Sequence, residues 1–183
     1  MKEILIVSHC ILNNAAKVAQ DESGLAEEYA QRSALMQAVA DRGVQLIQLP
    51  CPEFILYGAK RWGHVKDQFD NPYFRAQCRA MLGPVMMQLE EYAGNSDRFS
   101  ILGIVSVEGS PSCGHALTCR GDWGGEFEGR ECENGWPASS VRMTNEPGVF
   151  MEVLEKMLAE RRLDIRILSI PEAAVLISEK QSQ

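Results

Sequence analysis

The sequence predicts an α/β protein: a small Rossmann-like, flavodoxin-like three-layer sandwich around a four-stranded parallel sheet. Three observations predict it. Short apolar, β-rich runs recur at 3–8, 44–49, 100–107 and 164–170. Longer segments with apolar residues at helical spacing lie between them. Glycine and proline punctuate the joins. Strands that alternate with helices give a parallel sheet with helices on both faces.

Each element has its own local reason. The run 3–8 has the apolar character of a strand buried on both faces. A helix over about 23–42 keeps Leu25, Tyr29, Met36 and Val39 on one face, with Ser23 as its cap and Gly43 as its stop. The second strand, 44–49, is stopped by Pro50. Asn71-Pro72 opens the next helix, with a cap followed by proline at the first helical position. That helix runs to about Tyr92 with Phe74, Cys78, Leu82, Val85, Leu89 and Tyr92 on one stripe, and Gly83-Pro84 is expected to kink it. After the third strand, a helix over 148–162 carries basic residues at its C-terminal end, where they complement the dipole. The fourth strand leads into a last helix at Pro171-Glu172. Residues 54–70 and 114–146 show neither period and read as irregular insertions in one domain spanning 1–183.

The bulk numbers are those of an ordinary globular chain. Of 183 residues, 45% are hydrophobic and 23% charged. The net charge of −7 opposes a dedicated nucleic-acid binder, which would carry a basic face. The locally basic segment 60–66 reads as a solvated loop. No apolar stretch has the length of a membrane span, and the short N-terminal run is not a signal peptide. The expectation is a cytoplasmic protein with no membrane partner and no nucleic-acid partner.

Six cysteines stand out: Cys10, Cys51, Cys78, Cys113, Cys119 and Cys132. They are too sparse and too widely spaced for a disulfide scaffold, so they point to metal, catalysis or core. Three fall at equivalent places. Cys10 follows the first strand, Cys51 the second and Cys113 the third. In such sheets ligands bind beyond the carboxyl ends of the strands. Three neighbouring strand ends span roughly 10 Å, within reach of one metal centre. Thiolates hold iron–sulfur clusters, and three of them leave one iron open for water or substrate. Cys78 lies on the apolar stripe of its helix and reads as core. Cys113, His115, Cys119 and Cys132 also spell a conceivable structural zinc site, Cys-x-His-x3-Cys-x12-Cys. Otherwise Cys119 and Cys132 are unassigned.

Ser8-His9-Cys10-Ile11-Leu12-Asn13, Cys51-Pro52-Glu53 and Gly109-Ser110-Pro111-Ser112-Cys113-Gly114 together resemble the family once called domain of unknown function 523, which includes the thiouracil desulfidases. Tyr57-Gly58, Arg61-Trp62-Gly63 and Gln68-Phe69-Asp70 resemble a TudS-related subgroup of desulfidases. The resemblance implies a Rossmann-like fold and a 4Fe–4S cluster on Cys10, Cys51 and Cys113. It also implies non-redox removal of sulfur from a small thiocarbonyl compound, with Glu53 as the carboxylate beside the second ligand. The first loop departs from the family's usual Ala-Cys-Leu-Leu-Gly: His9 and Asn13 replace small residues, and the Arg-Trp-Gly segment is added.

On that reading Glu53 takes a proton from the attacking water, while Ser110 and Ser112 donate to substrate or cluster or else cap their own turn. His9 and Asn13 are candidate substrate contacts, and His9 fits a packing role equally. Arg61 and Trp62 either cover the site and grip a planar or anionic ligand or form an oligomer contact. The alternative in another class is a non-enzymatic iron–sulfur or zinc protein for sulfur or metal sensing or delivery. A third is a metal-free enzyme with Cys113 as nucleophile and His115 or His9 as base.

Overall fold

The computed structural model describes residues 1–126 and 135–179. The first strand, β1 (Lys2–Val7), is followed by a one-turn helix, α1 (His9–Leu12), and a 3-10 turn at Asn14–Ala16. Then come α2 (Glu22–Arg42), β2 (Gln45–Gln48), two short helices α3 (Pro52–Tyr57) and α4 (Lys66–Phe69), and the long α5 (Pro72–Gly94). The chain continues through β3 (Phe99–Val105), β4 (Thr118–Arg120), β5 (Arg142–Thr144), α6 (Val149–Glu160), β6 (Ile167–Leu168) and α7 (Ile170–Glu179).

The main sheet has four strands in the order β2-β1-β3-β6, every pair parallel. This is the predicted Rossmann-like fold class. Ile4 to Val7 are all buried because helices cover both faces of β1. The edge strand β2 places Gln45 and Gln48 at exposed positions. The helices α2 and α7 pack together, as do α5 and α6. Right-handed crossovers put the two pairs on opposite faces, because the chain moves one way from β1 to β2 and the other way from β2 past β1 to β3 and on to β6. The switch in direction therefore lies between β1 and β3, and Ser8 Oγ bridges it by donating to the Val105 carbonyl at 2.8 Å.

Several local expectations change. The α2 helix begins after Asp21, and Ser23 sits inside it with its hydroxyl on the Asp21 carboxylate. The last strand is shorter than expected: only Ile167 and Leu168 pair with β3, and α7 begins at Ile170. Ser169 and Glu172 form the reciprocal bonds of a capping box there, which pulls the chain out of the sheet. Helix α5 ends at Gly94, two residues beyond Tyr92, with Gly83-Pro84 inside it.

The two stretches read as irregular contain short elements. The first holds α3 and α4. The second holds an antiparallel ribbon, with Cys119 opposite Met143. Ionic contacts fasten this ribbon to the body. Asp67 accepts from Arg120 at 2.6 Å and from the Gly121 N–H at 3.0 Å. Glu146 bridges Arg120 and Lys66, both at 3.0 Å. Lys66 also pairs with Glu152 at 2.5 Å, and Arg75 joins Glu152 to Asp70.

The expectation of a solvated basic loop at 60–66 holds for Lys60, which is exposed, and is corrected for Arg61 and Lys66. The Lys66 side chain is 2% exposed, held by two carboxylates, and Arg61 is also turned inward. Burying a charge is costly unless it is paired in this way.

Candidate functional site

Three cysteines follow the carboxyl ends of three adjacent strands. Cys10 lies in α1, beyond β1. Cys51, after β2, is the N-cap of α3, and its Sγ accepts from the Phe54 N–H at 3.4 Å. Cys113 lies in the loop after β3, where Val107 N–H donates to the Cys113 carbonyl and Gly114 N–H to the Ser110 carbonyl. Among the described residues Cys10, Cys51, Cys78, Cys113 and Cys119 are free thiols.

The Cys113 loop is clamped from two sides. The N–H groups of Val149 and Met151 at the start of α6 donate to the carbonyls of Pro111 and Ser112. Glu108 collects the backbone N–H groups of His115, Ala116 and Leu117 at 3.3, 3.0 and 2.7 Å, plus the Ser106 hydroxyl at 2.6 Å. A carbon on Gly114 would stand 2.1 Å from the Leu117 carbonyl oxygen, and one on Gly148 would stand 2.6 Å from that of Ser112. Only glycine fits either place. The Glu108 latch was missed at the level of sequence; its one signal is a carboxylate directly before Gly109-Ser110.

Glu53 joins two of the thiol loops. Its Oε1 accepts from Ser112 Oγ at 2.5 Å, and its Oε2 faces Arg61 Nε at 3.4 Å. Ser112 Oγ in turn lies 3.4 Å from Cys113 Sγ. The two serines divide their roles. Ser110 caps its own turn, accepting from the N–H groups of Cys113 at 3.0 Å and Ser112 at 3.3 Å. Ser112 points to the carboxylate.

The other candidates separate. The Arg61 side chain is 3% exposed, and besides Glu53 it donates to the carbonyls of Gly58 at 3.2 Å and Ala16 at 2.6 Å. Trp62, next to it, is 77% exposed. Asn13 Oδ1 accepts from the Ala15 N–H and caps the 3-10 turn. His9 begins α1, and its carbonyl accepts from Gln48 Nε2 at 2.8 Å. Cys78 is fully buried on α5, as its stripe predicts. Cys119 Sγ faces the His64 carbonyl at 3.5 Å, and His115 Nδ1 lies 2.9 Å from Glu155 Oε1. Cys132 lies outside the described residues. A hollow of about 470 Å³ beside β6 is lined by His115, Arg162 and Ile167 among others, and none of the three thiols lines it.

Burial raises all three site thiols. It pushes Cys10 up to about 11, partly opposed by Lys17. Cys51 is raised by burial, with the Phe54 N–H opposing. Cys113 is raised well above the usual thiol range, first by burial and then by the charge of Cys10, with Glu53 and Cys51 adding. These groups feel one another's charge, so together they disfavour the thiolate form. A multivalent cation reverses that balance.

No group of three His, Cys, Asp or Glu side chains closes on a single ion among the described residues. Three sulfur donors follow adjacent strand ends, two of them with an N–H or hydroxyl beside the sulfur, and thiolate is a donor type that soft metals take.

No family model matches the chain, and no solved structure matches it. The uncharacterized protein MJ0003 of Methanocaldococcus jannaschii is 34% identical to it over 112 residues, which are 61% of this chain and 67% of that protein. The chain belongs to the family of that uncharacterized archaeal protein.

Proposed function

We propose that the protein is a desulfidase of the cytoplasm, which removes sulfur from a small thiocarbonyl compound of the thiouracil kind by non-redox hydrolysis. Cys10, Cys51 and Cys113 would hold a 4Fe–4S cluster. When bound, that group supplies an iron with an open position for a soft sulfur ligand. The observation that carries the reading is the placement of Glu53, which Ser112 connects to the Cys113 loop while it rides two residues after Cys51.

Glu53 is the base. It accepts a proton from water whose oxygen bonds to the thiocarbonyl carbon. The carbon–sulfur bond then breaks, and sulfur departs as sulfide. The balance is thiocarbonyl plus water giving carbonyl plus hydrogen sulfide, with no electron gained or lost. Ser112 holds Oε1 so that the carboxylate keeps one orientation through this transfer. Helices cover the sheet on both faces, and no helix among the described residues is long and apolar enough to cross a membrane.

The test is turnover of 2-thiouracil by the iron-loaded protein, reading uracil and sulfide together. Equal release of both is the expected result. In Glu53→Gln, turnover falls by roughly 10²–10⁴-fold, the range of general-base catalysis, while the visible absorption of the cluster stays. Full iron loading with no sulfide released from 2-thiouracil or other small thiones would overturn the reading in favour of delivery or sensing.

A further inference from the structure

We infer that Arg61 is a positioning residue: through Glu53 and Ser112 it braces the three cysteine-bearing segments against one another, and it does not grip a ligand. The guanidinium offers five N–H donors in a rigid fork. Here the fork is spread over three segments. Nη2 takes the carbonyl of Ala16, six residues past Cys10, at 2.6 Å. Nη1 takes the carbonyl of Gly58, which ends α3, at 3.2 Å. Nε faces Glu53 Oε2, on the first turn of that helix, at 3.4 Å.

The chain of contacts then continues. Glu53 Oε1 accepts from Ser112, and Ser112 Oγ lies beside Cys113 Sγ. Arg61 therefore reaches the segments of all three thiols while touching none of the sulfurs. Gly58 suits this arrangement. Its φ of 73° lies in the left-handed region that favours glycine, and there the chain turns at the carbonyl which Arg61 meets. With three of its five N–H donors engaged within the protein and the side chain 3% exposed, the guanidinium is turned to these carbonyls and to Glu53 rather than to solvent. Trp62, the neighbour, is the exposed member of the pair.

The inference concerns the thiols themselves and holds for any group they bind. Its failure would leave the desulfidase reading standing, and the reverse also holds. The experiment is anaerobic alkylation of the full-length, metal-free protein with iodoacetamide, with each cysteine followed by mass spectrometry. In Arg61→Met, Cys10 and Cys113 react at least about tenfold faster, because local opening of their loops becomes easier. Cys78, fully buried in α5 and outside the hydrogen bonds of the brace, stays within about twofold.

A double variant separates positioning from general loosening. In a Glu53→Ala background, adding Arg61→Met changes Cys113 by less than about twofold, since the path to that thiol is already cut, while Cys10 still accelerates through Ala16. Ser112→Ala, which keeps the Arg61 contacts, accelerates Cys113 and leaves Cys10 alone. Equal acceleration of Cys78 with the others would overturn the proposal. So would a Cys113 rate that Arg61→Met leaves unchanged.

Discussion

Ser112 Oγ donates to Glu53 Oε1 at 2.5 Å, across 59 residues of sequence, and so ties the loop after β3 to the helix after β2. The same oxygen lies 3.4 Å from Cys113 Sγ. One hydroxyl thus stands between the proposed base and a proposed ligand. A hydrogen bond to a charged group contributes about 1.5–3 kcal/mol. Ser112→Ala is therefore expected to lower kcat on 2-thiouracil by about 10–100-fold, with KM and iron content nearly unchanged. Steady-state kinetics with parallel iron analysis checks this, and loss of iron would mark the serine as structural.

Lys66 is a buried cation with two carboxylate partners, each of which has a second cation of its own. Lys66→Ala removes the charge and the packing of its stem, and is expected to destabilise the fold by roughly 3–5 kcal/mol. Lys66→Met keeps the packing, and Glu146 and Glu152 retain Arg120 and Arg75. Its cost should be less than half as large. Urea denaturation of both variants measures the difference, and equal losses would show that charge alone matters at this place.

Asp67 sets an acid-side sensitivity. Its hydrogen bonds from Arg120 and from the Gly121 N–H lower it to about 2. A carboxylate depressed in the folded state stabilises fully above its unfolded value near 4, and that contribution is lost as pH falls through about 2. Asp67→Asn should flatten the stability profile between about pH 4 and pH 2. At neutral pH its effect should be under about 1 kcal/mol, because the pair is solvent-screened. Thermal melts across that window provide the check.

Gly114 meets the Leu117 carbonyl where a side-chain carbon would stand. Gly114→Ala has to displace the loop that carries Cys113, at about 1–3 kcal/mol for overpacking. The expected signature is local: reduced iron uptake at a temperature where circular dichroism still reports a folded chain. Uptake equal to the parent protein would show that the loop yields without moving the thiol.

The order of strands and helices was legible because buried strands and amphipathic helices write different periods into the chain. The positions of Cys10, Cys51 and Cys113 followed from that order, since each lies in the segment that follows a strand. The ribbon of β4 and β5 was not legible: three residues on each side are too few to show alternation. Charged residues misled for a different reason. Lys66 and Arg61 look like solvent cations until the partners appear, and Glu146 and Glu152 are 80 and 86 residues from Lys66. A separation of 59 residues likewise hid Ser112 from Glu53. What sequence reading supplied was the chemistry-bearing residues, and what the fold added was the division among them: Ser112 to the carboxylate, Ser110 to its turn, Asn13 to a cap, Arg61 to a brace.

Iron and acid-labile sulfide per chain, measured after anaerobic reconstitution alongside zinc, test the central claim most directly. The account predicts about four of each per chain, as in a 4Fe–4S centre. It also predicts loss of both when Cys10, Cys51 or Cys113 is replaced by serine, and retention when Cys78 is replaced. One zinc per chain with no iron, or full iron loading that survives replacement of all three cysteines, would contradict it.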